Sequence, residues 1–305
     1  MVLSVNVVKP GKKVRDFGAV EVDDKATVAQ FKAAFEKKTK ISRHRQNFKL
    51  QDATGALVSL ADDSKTLASY GVKSNGQLQF KDLGPQIGYR TVFIAEYLGP
   101  LLFVLFYATR PAFLYGKDAA SKPFDHTAWL GVAAWSAHFL KREFETLFVH
   151  RFSRPTMPLF NLFKNCSYYW SFGAVVGYPL AHPDYKGPTS ELQIQIGLAL
   201  FAVSELLNFL VHVQLRNLRP AEGSKVRPVP KGPLFALVSC PNYTFEVLGW
   251  VGFSLFTQIF FSYLFTLVGF LQMTDWALKK HRGYIKSDGD AYKKLRRKAI
   301  VPFVI

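Results

Sequence analysis

Two patterns of hydrophobic and polar positions follow one another along the chain. Over residues 1–82, apolar positions alternate with polar ones or recur every three to four residues. No apolar run in this part is long enough to span a bilayer. Alternation predicts strands, and the longer period predicts a helix that Thr27 is well suited to cap. The pattern therefore predicts a small α+β domain with the order strand–strand–helix–strand–strand.

This order of elements, with turns near residues 52–55 and 74–76, resembles the ubiquitin-like β-grasp fold. The chain continues beyond residue 82 without the free diglycine end that conjugation needs, so we expect a docking or structural role for this domain. Because β-grasp domains carry little chemistry of their own, the chemistry is expected in the second predicted domain, residues 83–305.

The second domain contains five apolar segments. Each is close to the roughly 20 residues that a helix needs to cross a bilayer, and the last is long enough for a helical hairpin. We therefore predict an α-helical multi-pass membrane bundle of about six spans. The number of spans near residues 250–275 stays open, because Gly249, Gly252 and Gly269 permit breaks in a helix. The segments are 91–107, 127–149, 167–180, 192–215 and 234–269.

Composition and charge support this interpretation. Hydrophobic residues make up 49% of the chain, and the formal net charge is +17. In a soluble protein that charge would first suggest nucleic acid. Here the basic residues concentrate in loops 151–165 and 216–231 and in the C-terminal tail, whereas loop 181–190 holds one lysine and one aspartate. The positive-inside rule then places the N-terminal domain, both basic loops and the tail in the cytosol, with no nucleic-acid partner.

Polar residues inside the apolar segments carry the functional prediction, because such groups are costly in a bilayer and usually face a cavity or a partner. Five of them are spaced three or four apart and share one face of the fourth helix. Others lie in three further segments, which favours a water-accessible pocket over simple hydrogen bonds between helices. The stripe is Glu205, Asn208, His212, Arg216 and Arg219, and the others are Glu96, Lys141, Glu145, Asn242 and Glu246.

Several kinds of site are excluded by their missing motifs. There is no P-loop, no G-x-G-x-x-G after a strand and no serine nucleophile elbow. Cys166 and Cys240 have neither zinc spacing nor a disulfide framework, and no metal site is predicted. A phosphate-bearing cofactor would lie among the helices, where arginine and lysine suit phosphate groups.

Two segments near the end of the chain resemble the steroid 5α-reductase superfamily. One carries Cys-Pro-Asn-Tyr at 240–243 followed by Glu246, and the other carries His-Arg-Gly-Tyr at 281–284. With segments 145–153 and 163–170 and the ubiquitin-like domain in front, the chain is more specifically similar to very-long-chain trans-2-enoyl-CoA reductases. The resemblance covers essentially the whole chain.

The resemblance implies NADPH-dependent reduction of the C2=C3 double bond of a very-long-chain trans-2-enoyl-CoA in the endoplasmic reticulum membrane, the last step of fatty-acid elongation. Other elongation enzymes are then expected partners. Tyr243 would give a proton to C2 after hydride reaches C3, with Gln86 and Glu96 contributing to the active site. Lys141 or Arg142 is our own candidate for the cation that stabilises the deprotonated phenol or the enolate.

For NADPH, the resemblance and the charge pattern together imply three kinds of contact. Asn242 and Glu246 would hold the carboxamide of the nicotinamide. Arg219 would hold phosphates, and Tyr284 would pack on the nucleotide. The full set is Asn208, Arg216, Arg219, Arg227, Asn242, Glu246, His281, Arg282 and Tyr284.

The acyl tail needs an apolar channel, and six aromatic residues could line it, although most are expected to pack between helices or face lipid. They are Trp129, Trp135, Tyr168, Tyr169, Trp170 and Phe172. Three other functions stay open: a sterol or polyprenol reductase, an isoprenylcysteine-type methyltransferase that uses S-adenosylmethionine, and a non-catalytic membrane scaffold. NADPH oxidation separates the first two, and a scaffold should tolerate Tyr243→Phe.

Overall fold

The computed structural model describes residues 2–10, 15–222 and 228–305. The chain divides into two compact units. The first unit comprises Met1–Ile87 and Thr156–Leu159, and the second comprises Gly88–Pro155 and Phe160–Ile305. Each unit has its own hydrophobic core.

The first unit is a five-stranded mixed sheet with one helix. Its elements are β1 (Val2–Lys9), β2 (Arg15–Asp23), α1 (Val28–Thr39), β3 (Gln46–Gln51), β4 (Leu57–Ser59) and β5 (Gln77–Asp82). The sheet order is β2-β1-β5-β3-β4, with β1 parallel to β5 and the other neighbours antiparallel. The short strands β6 (Gln86–Gly88) and β7 (Thr156–Pro158) form a separate pair. The two predicted strands before α1 and the two predicted strands after it are confirmed, but the structure adds a short fifth strand, β4, between β3 and β5.

Local chemistry explains how α1 is placed. The Thr27 hydroxyl accepts a hydrogen bond from the Gln30 amide at 3.3 Å, and the Gln30 side chain accepts one from the Thr27 amide at 2.8 Å. This capping box fixes the start of the helix as predicted. The helix then buries Phe35 against Phe48 and Phe80 of the sheet, with ring centroids 5.2 and 5.1 Å away.

The second unit is helical. Its helices are α2 (Tyr89–Ala108), α3 (Ala112–Tyr115), α4 (His126–Phe144), α5 (Phe160–Ala181), α6 (Glu191–Asn217), α7 (Pro241–Thr257) and α8 (Phe260–Lys293). A π-helical turn at Glu145–Val149 extends α4. Of these helices, α2 and α6 are long and apolar enough to cross a membrane.

The last predicted apolar segment is a helical hairpin. The chain breaks between α7 and α8 at Gln258, which adopts a left-handed φ of 54°. Gly252, one of the glycines that could have broken it, serves close packing instead, because a Cβ there would lie 2.6 Å from the Gly197 carbonyl oxygen. Helix α8 also continues beyond the apolar run, which ends at residue 269, and this extension carries Lys280 and Tyr284.

Candidate active site

A cavity of about 960 Å³ lies within the helical unit, bounded by α2 and by α4 to α8. This volume is at the upper end of the range typical for sites that bind small molecules. Among the described residues that line it are seven lysines and arginines but two carboxylates, Glu96 and Glu246. The seven are Arg142, Arg151, Lys164, Arg216, Arg219, Lys279 and Lys280. The cavity is therefore strongly positive and suits an anionic ligand.

Tyr243 lies in the first turn of α7 and faces this cavity. Its hydroxyl accepts a hydrogen bond from the Lys280 ammonium at 3.0 Å, and the same ammonium lies 4.5 Å from the centre of the tyrosine ring. Lys141 and Arg142, which we expected beside Tyr243, instead donate hydrogen bonds to Asn208 and Glu145. The sequence missed Lys280 because it was assigned to a basic tail, although it lies on the same helical face as Trp276 and Tyr284.

Asn208 joins two of the predicted cofactor residues. Its side-chain amide donates to the backbone carbonyl oxygen of Asn242 at 2.8 Å and to the Glu246 carboxylate at 3.1 Å. The Asn242 and Glu246 side chains line the cavity, and no hydrogen bond of the Asn242 side-chain amide occurs among the described residues. The three predicted residues therefore lie together, with amide and carboxylate groups available to a carboxamide.

Behind Glu246 lies a buried polar network that the sequence indicated only in part. Lys141 contacts Glu205 at 2.7 Å and donates to Asn208 at 2.8 Å. His138, which the sequence analysis overlooked as a single histidine in an apolar helix, lies 2.9 Å from Glu205 and 3.5 Å from Glu246. Lys141 therefore supports the Asn208–Glu246 pair and is not the cation beside Tyr243.

Arg142 occupies a second buried network. Its guanidinium donates to Glu145 at 2.5 Å and to the Tyr97 hydroxyl at 2.8 Å. Glu145 also lies 2.9 Å from His212, and the ligand atoms of Glu145, His150 and His212 all lie within 4.8 Å of one another. Three such ligand atoms could in principle hold a metal ion. Arg142 already neutralises Glu145, so the arrangement is explained by an ion pair without a metal.

Glu96 and Gln86 are found in different units. Glu96 is buried on α2 and lines the cavity, where its carboxylate accepts a hydrogen bond from Asn165 at 2.7 Å. Gln86 belongs to the first unit, where its amide donates to the Leu83 carbonyl oxygen at 3.1 Å and its oxygen accepts from Thr156 at 3.3 Å.

Some of the predicted phosphate ligands line the cavity and others do not. Arg216 and Arg219 line the cavity together with Arg151, and Arg151 and Arg219 each donate to the other's backbone carbonyl. Arg227 lies outside the described residues. Tyr284 also lines the cavity.

His281 and Arg282 are not among the residues that line this cavity. His281 bonds to the Ser239 hydroxyl at 2.6 Å, and Arg282 is exposed and donates to the Leu278 carbonyl oxygen at 3.3 Å. The reason is helical geometry, because the cavity-lining positions of α8 recur every three to four residues, at 276, 279–280, 283–284 and 287, and residues 281 and 282 fall between them.

The candidate channel aromatics behave differently from one another. Tyr168 and Tyr169 line the cavity. Trp135 and Trp170 donate their indole N–H groups to the Pro100 and Ala95 carbonyl oxygens at 3.0 and 2.9 Å. The remaining two pack against other rings, Trp129 on Phe124 and Phe172 on Phe265.

Comparison with known proteins finds a different family for each of two parts of the chain. Residues 2–87 match the ubiquitin-like domain family, and residues 155–305 match the family described as 3-oxo-5-alpha-steroid 4-dehydrogenase. The protein is thus a ubiquitin-like domain joined to a helical domain of the steroid dehydrogenase class.

Full-length relatives narrow the class. The "Very-long-chain enoyl-CoA reductase" of Dictyostelium discoideum is 42% identical over 307 residues, which cover 99% of this chain and 100% of that protein. The "Putative enoyl-CoA reductase" of Trypanosoma brucei brucei (strain 927/4 GUTat10.1) is 46% identical over 292 residues, which cover 94% and 96%. The chain belongs to this family of enoyl-CoA reductases, which are oxidoreductases.

Proposed function

We propose that the protein uses NADPH to reduce the C2=C3 double bond of very-long-chain trans-2-enoyl-CoA, the last step of fatty-acid elongation. The observation that carries the proposal is the composition of one cavity. A tyrosine hydroxyl, the Asn242 amide and the Glu246 carboxylate face the same space as seven cationic side chains. The two full-length relatives support the choice of an enoyl-CoA substrate.

The cavity fits a dinucleotide that carries several phosphates. Asn242 and Glu246 would hold the nicotinamide carboxamide, because together they offer both donors and acceptors. Arg216 and Arg219 would hold phosphates through charge-assisted hydrogen bonds, and Tyr284 would pack on the nucleotide. The Asn208 bridge between Asn242 and Glu246 keeps their geometry fixed before the ligand arrives.

The residues of the chain supply the proton and the electrostatic environment. NADPH, when bound, supplies the hydride that adds to C3. As charge develops on the thioester oxygen, Tyr243 donates its phenolic proton to C2 as a general acid. The positive lining of the cavity stabilises the enolate, and the burial of Glu96 and Arg142 shows that part of the cavity is shielded from water.

The acyl tail would leave the cavity between α5 and α8. Val268 and Trp276 line the cavity and are nevertheless 37% and 45% exposed, so the wall formed by α8 is open to the outside. Gly269 lies in this opening, and a Cβ there would come within 3.4 Å of the Tyr168 hydroxyl. A long alkyl chain can follow this apolar slot into a bilayer.

The outer surface of the helices supports a multi-pass arrangement in the endoplasmic reticulum membrane. Large apolar side chains are exposed on helices beyond the two that are apolar enough by composition, which is unusual for a protein surrounded by water. We propose that α2, α4, α5, α6, α7 and α8 are the six spans. By the distribution of basic loops, the N-terminal domain and the tail are cytosolic, where other elongation enzymes could bind. The exposed apolar side chains on these further helices include Leu140 on α4 (56% exposed), Phe163 on α5 (61%) and Leu271 on α8 (60%).

The test is a purified full-length protein in detergent, followed by NADPH absorbance with a very-long-chain trans-2-enoyl-CoA. We expect oxidation by the wild type and a loss of roughly 100- to 10,000-fold in Tyr243→Phe, because general acid catalysis contributes about that much. Tyr263→Phe is the matched control, since the Tyr263 hydroxyl bonds Gln258 at 2.7 Å away from the cavity.

The outcomes separate the parts of the proposal. If wild type binds NADPH but oxidises it only with sterol or polyprenol substrates, the substrate class is wrong. If it binds S-adenosylmethionine and transfers methyl groups instead, the reaction is wrong. If Tyr243→Phe retains the wild-type rate, Tyr243 is not the proton donor.

A further inference from the structure

Lys280 has an unusual environment for a lysine beside a cavity. Its ammonium donates to the Tyr243 hydroxyl at 3.0 Å and lies 4.5 Å from the ring centre, so both the oxygen and the π face of the tyrosine attract it. In the described part of the chain, no carboxylate lies within 4.0 Å of this ammonium. By contrast, Lys279 pairs with Asp275 at 2.6 Å and Lys141 pairs with Glu205 at 2.7 Å.

The other titratable groups that act on Lys280 are a thiol and a second phenol. Cys240 faces it from the residue before α7, and Tyr284 faces it from the next turn of α8. The positive charge of Lys280 is therefore not cancelled locally by a carboxylate, and it acts mainly on Tyr243.

The direction of the hydrogen bond decides what Tyr243 can do. A lysine ammonium has three donors and no acceptor, so it must occupy a lone pair of the tyrosine oxygen. The phenolic proton is then not used in this contact and is left for another acceptor. Among the described residues, no group accepts a hydrogen bond from the Tyr243 hydroxyl, and the side chain lines the cavity.

We propose that Lys280 is the positioning residue of Tyr243, which holds the phenol as a proton donor and stabilises the phenolate that it leaves. The proposal rests on the function proposed above. In the step, the Tyr243 O–H bond breaks and a C–H bond forms at C2 of the substrate. The resulting phenolate pairs with the Lys280 ammonium and regains a proton from water before the next turnover.

This assignment replaces Lys141 and Arg142 as the cation that acts on the tyrosine. Both of those side chains are held by carboxylates, Glu205 and Glu145. A cation already paired with a carboxylate stabilises a second anion less, because the carboxylate repels it. Lys280 has no such competitor among the described residues.

The experiment compares Lys280→Met and Lys280→Arg in the full-length protein with Lys286→Met, which removes the same charge from an exposed position on α8. NADPH affinity, kcat, KM, the solvent deuterium isotope effect and the pH profile are measured for each. We expect kcat to fall roughly 100-fold in Lys280→Met, with NADPH affinity within about twofold of wild type, because the loss falls on proton transfer.

Three further readouts distinguish positioning from a structural role. The solvent isotope effect should rise in Lys280→Met, because proton transfer becomes rate-limiting. The pH profile of kcat should change in Lys280→Met and not in Lys286→Met, because only Lys280 contacts the phenol. Lys280→Arg should restore at least part of kcat, and Lys286→Met should match wild type.

Each result decides one question. A wild-type kcat and pH profile in Lys280→Met, while Tyr243→Phe is inactive, overturns the proposal and leaves the reductase function intact. An inactive wild type overturns the reductase function itself. If Lys280→Met does not fold, Lys280→Arg decides: an unchanged isotope effect and pH profile in a variant with much lower kcat also overturns the proposal.

Discussion

The interiors of the two units differ in kind. In the first unit, Gln46 is the one buried polar side chain among the described residues, and the buried members of its main hydrophobic cluster are valine, leucine and phenylalanine. The second unit buries Glu96, Arg110, Arg142 and Glu145 together with several other polar groups. Buried charge is unfavourable unless it is paired or hydrogen-bonded. Arg142 and Glu145 pair with each other, whereas Glu96 is hydrogen-bonded by Asn165 and Arg110 donates to the Ala181 carbonyl oxygen. The polar interior therefore belongs to the unit in which we propose the active site.

The first and largest predicted effect tests whether this polar interior is also structural. Arg142→Met leaves Glu145 buried without its cation, and breaking such a pair costs about 3–5 kcal/mol. We expect a large fall in the unfolding midpoint of the helical unit in detergent, together with loss of NADPH oxidation. The measurement is the midpoint of thermal unfolding at fixed detergent concentration.

Arg90→Met is the matched control for Arg142→Met. Arg90 also faces a glutamate, Glu222 at 3.6 Å, but the two side chains are 48% and 58% exposed. Exposed pairs contribute about 0–1 kcal/mol, so this midpoint should hardly move. Equal effects in the two variants would show that the buried pair is no more important than a surface pair, and the contrast between the units would lose its main support.

The sequence predicted the first unit better than the second for a physical reason. Strand alternation and the Thr27 cap are local signals, and both are confirmed. In the second unit the contacts that matter join distant helices. Lys280 was missed because charged residues end an apolar run without ending a helix, and His138 because its partner Glu205 lies 67 residues away.

The position of the break between α7 and α8 shows the same limit. Glycine permits a break, yet the chain turns at Gln258 and uses Gly252 to bring α7 against α6. Whether a glycine serves a turn or a close contact depends on what lies opposite it, and the sequence alone does not contain that information.

The second prediction compares glycines of the two units. A Cβ at Gly252 would lie 2.6 Å from one backbone atom and 2.7 Å from another, so Gly252→Ala should destabilise the helical unit by about 1–3 kcal/mol. Gly71 in the first unit has open space around it but a φ of +81°, so Gly71→Ala should be strained, whereas Gly71→Asn should be tolerated better.

Hydrogen exchange followed by mass spectrometry assigns each effect to its unit. Protection should fall in peptides from α6 and α7 for Gly252→Ala and in peptides from 46–82 for Gly71→Ala. If Gly252→Asn were tolerated as well as Gly71→Asn, lack of space would not be the reason for the glycine in α7.

The third prediction concerns the slot between α5 and α8. Gly269→Leu should lower kcat/KM for a very-long-chain enoyl-CoA by roughly tenfold or more, because the new side chain fills the space beside Tyr168. A short-chain enoyl-CoA should be reduced as well as by wild type. Leu267→Phe, an exposed position on α8 that does not line the cavity, is the control. A loss that is equal for both chain lengths would contradict the proposed path of the acyl tail.

The smallest predicted effect returns to the first unit and its surface. Arg45 donates to both carboxylate oxygens of Asp82 at 3.0 and 2.7 Å and thereby lowers the pKa of Asp82 below its usual value. A lowered pKa in the folded state means that the contribution to stability is present above the unfolded pKa of about 3.9 and is lost as pH falls through the folded value. Asp82→Asn should therefore reduce the urea midpoint of the first unit at neutral pH, and the difference from wild type should vanish in acid.

Pulse-labelled hydrogen exchange of peptides from 46–82, labelled at one fixed pH, measures both midpoints. Glu21→Gln, at an exposed position on β2, should leave the midpoint unchanged at every pH, and a persistent Asp82→Asn difference in acid would mean that the ion pair is not its cause.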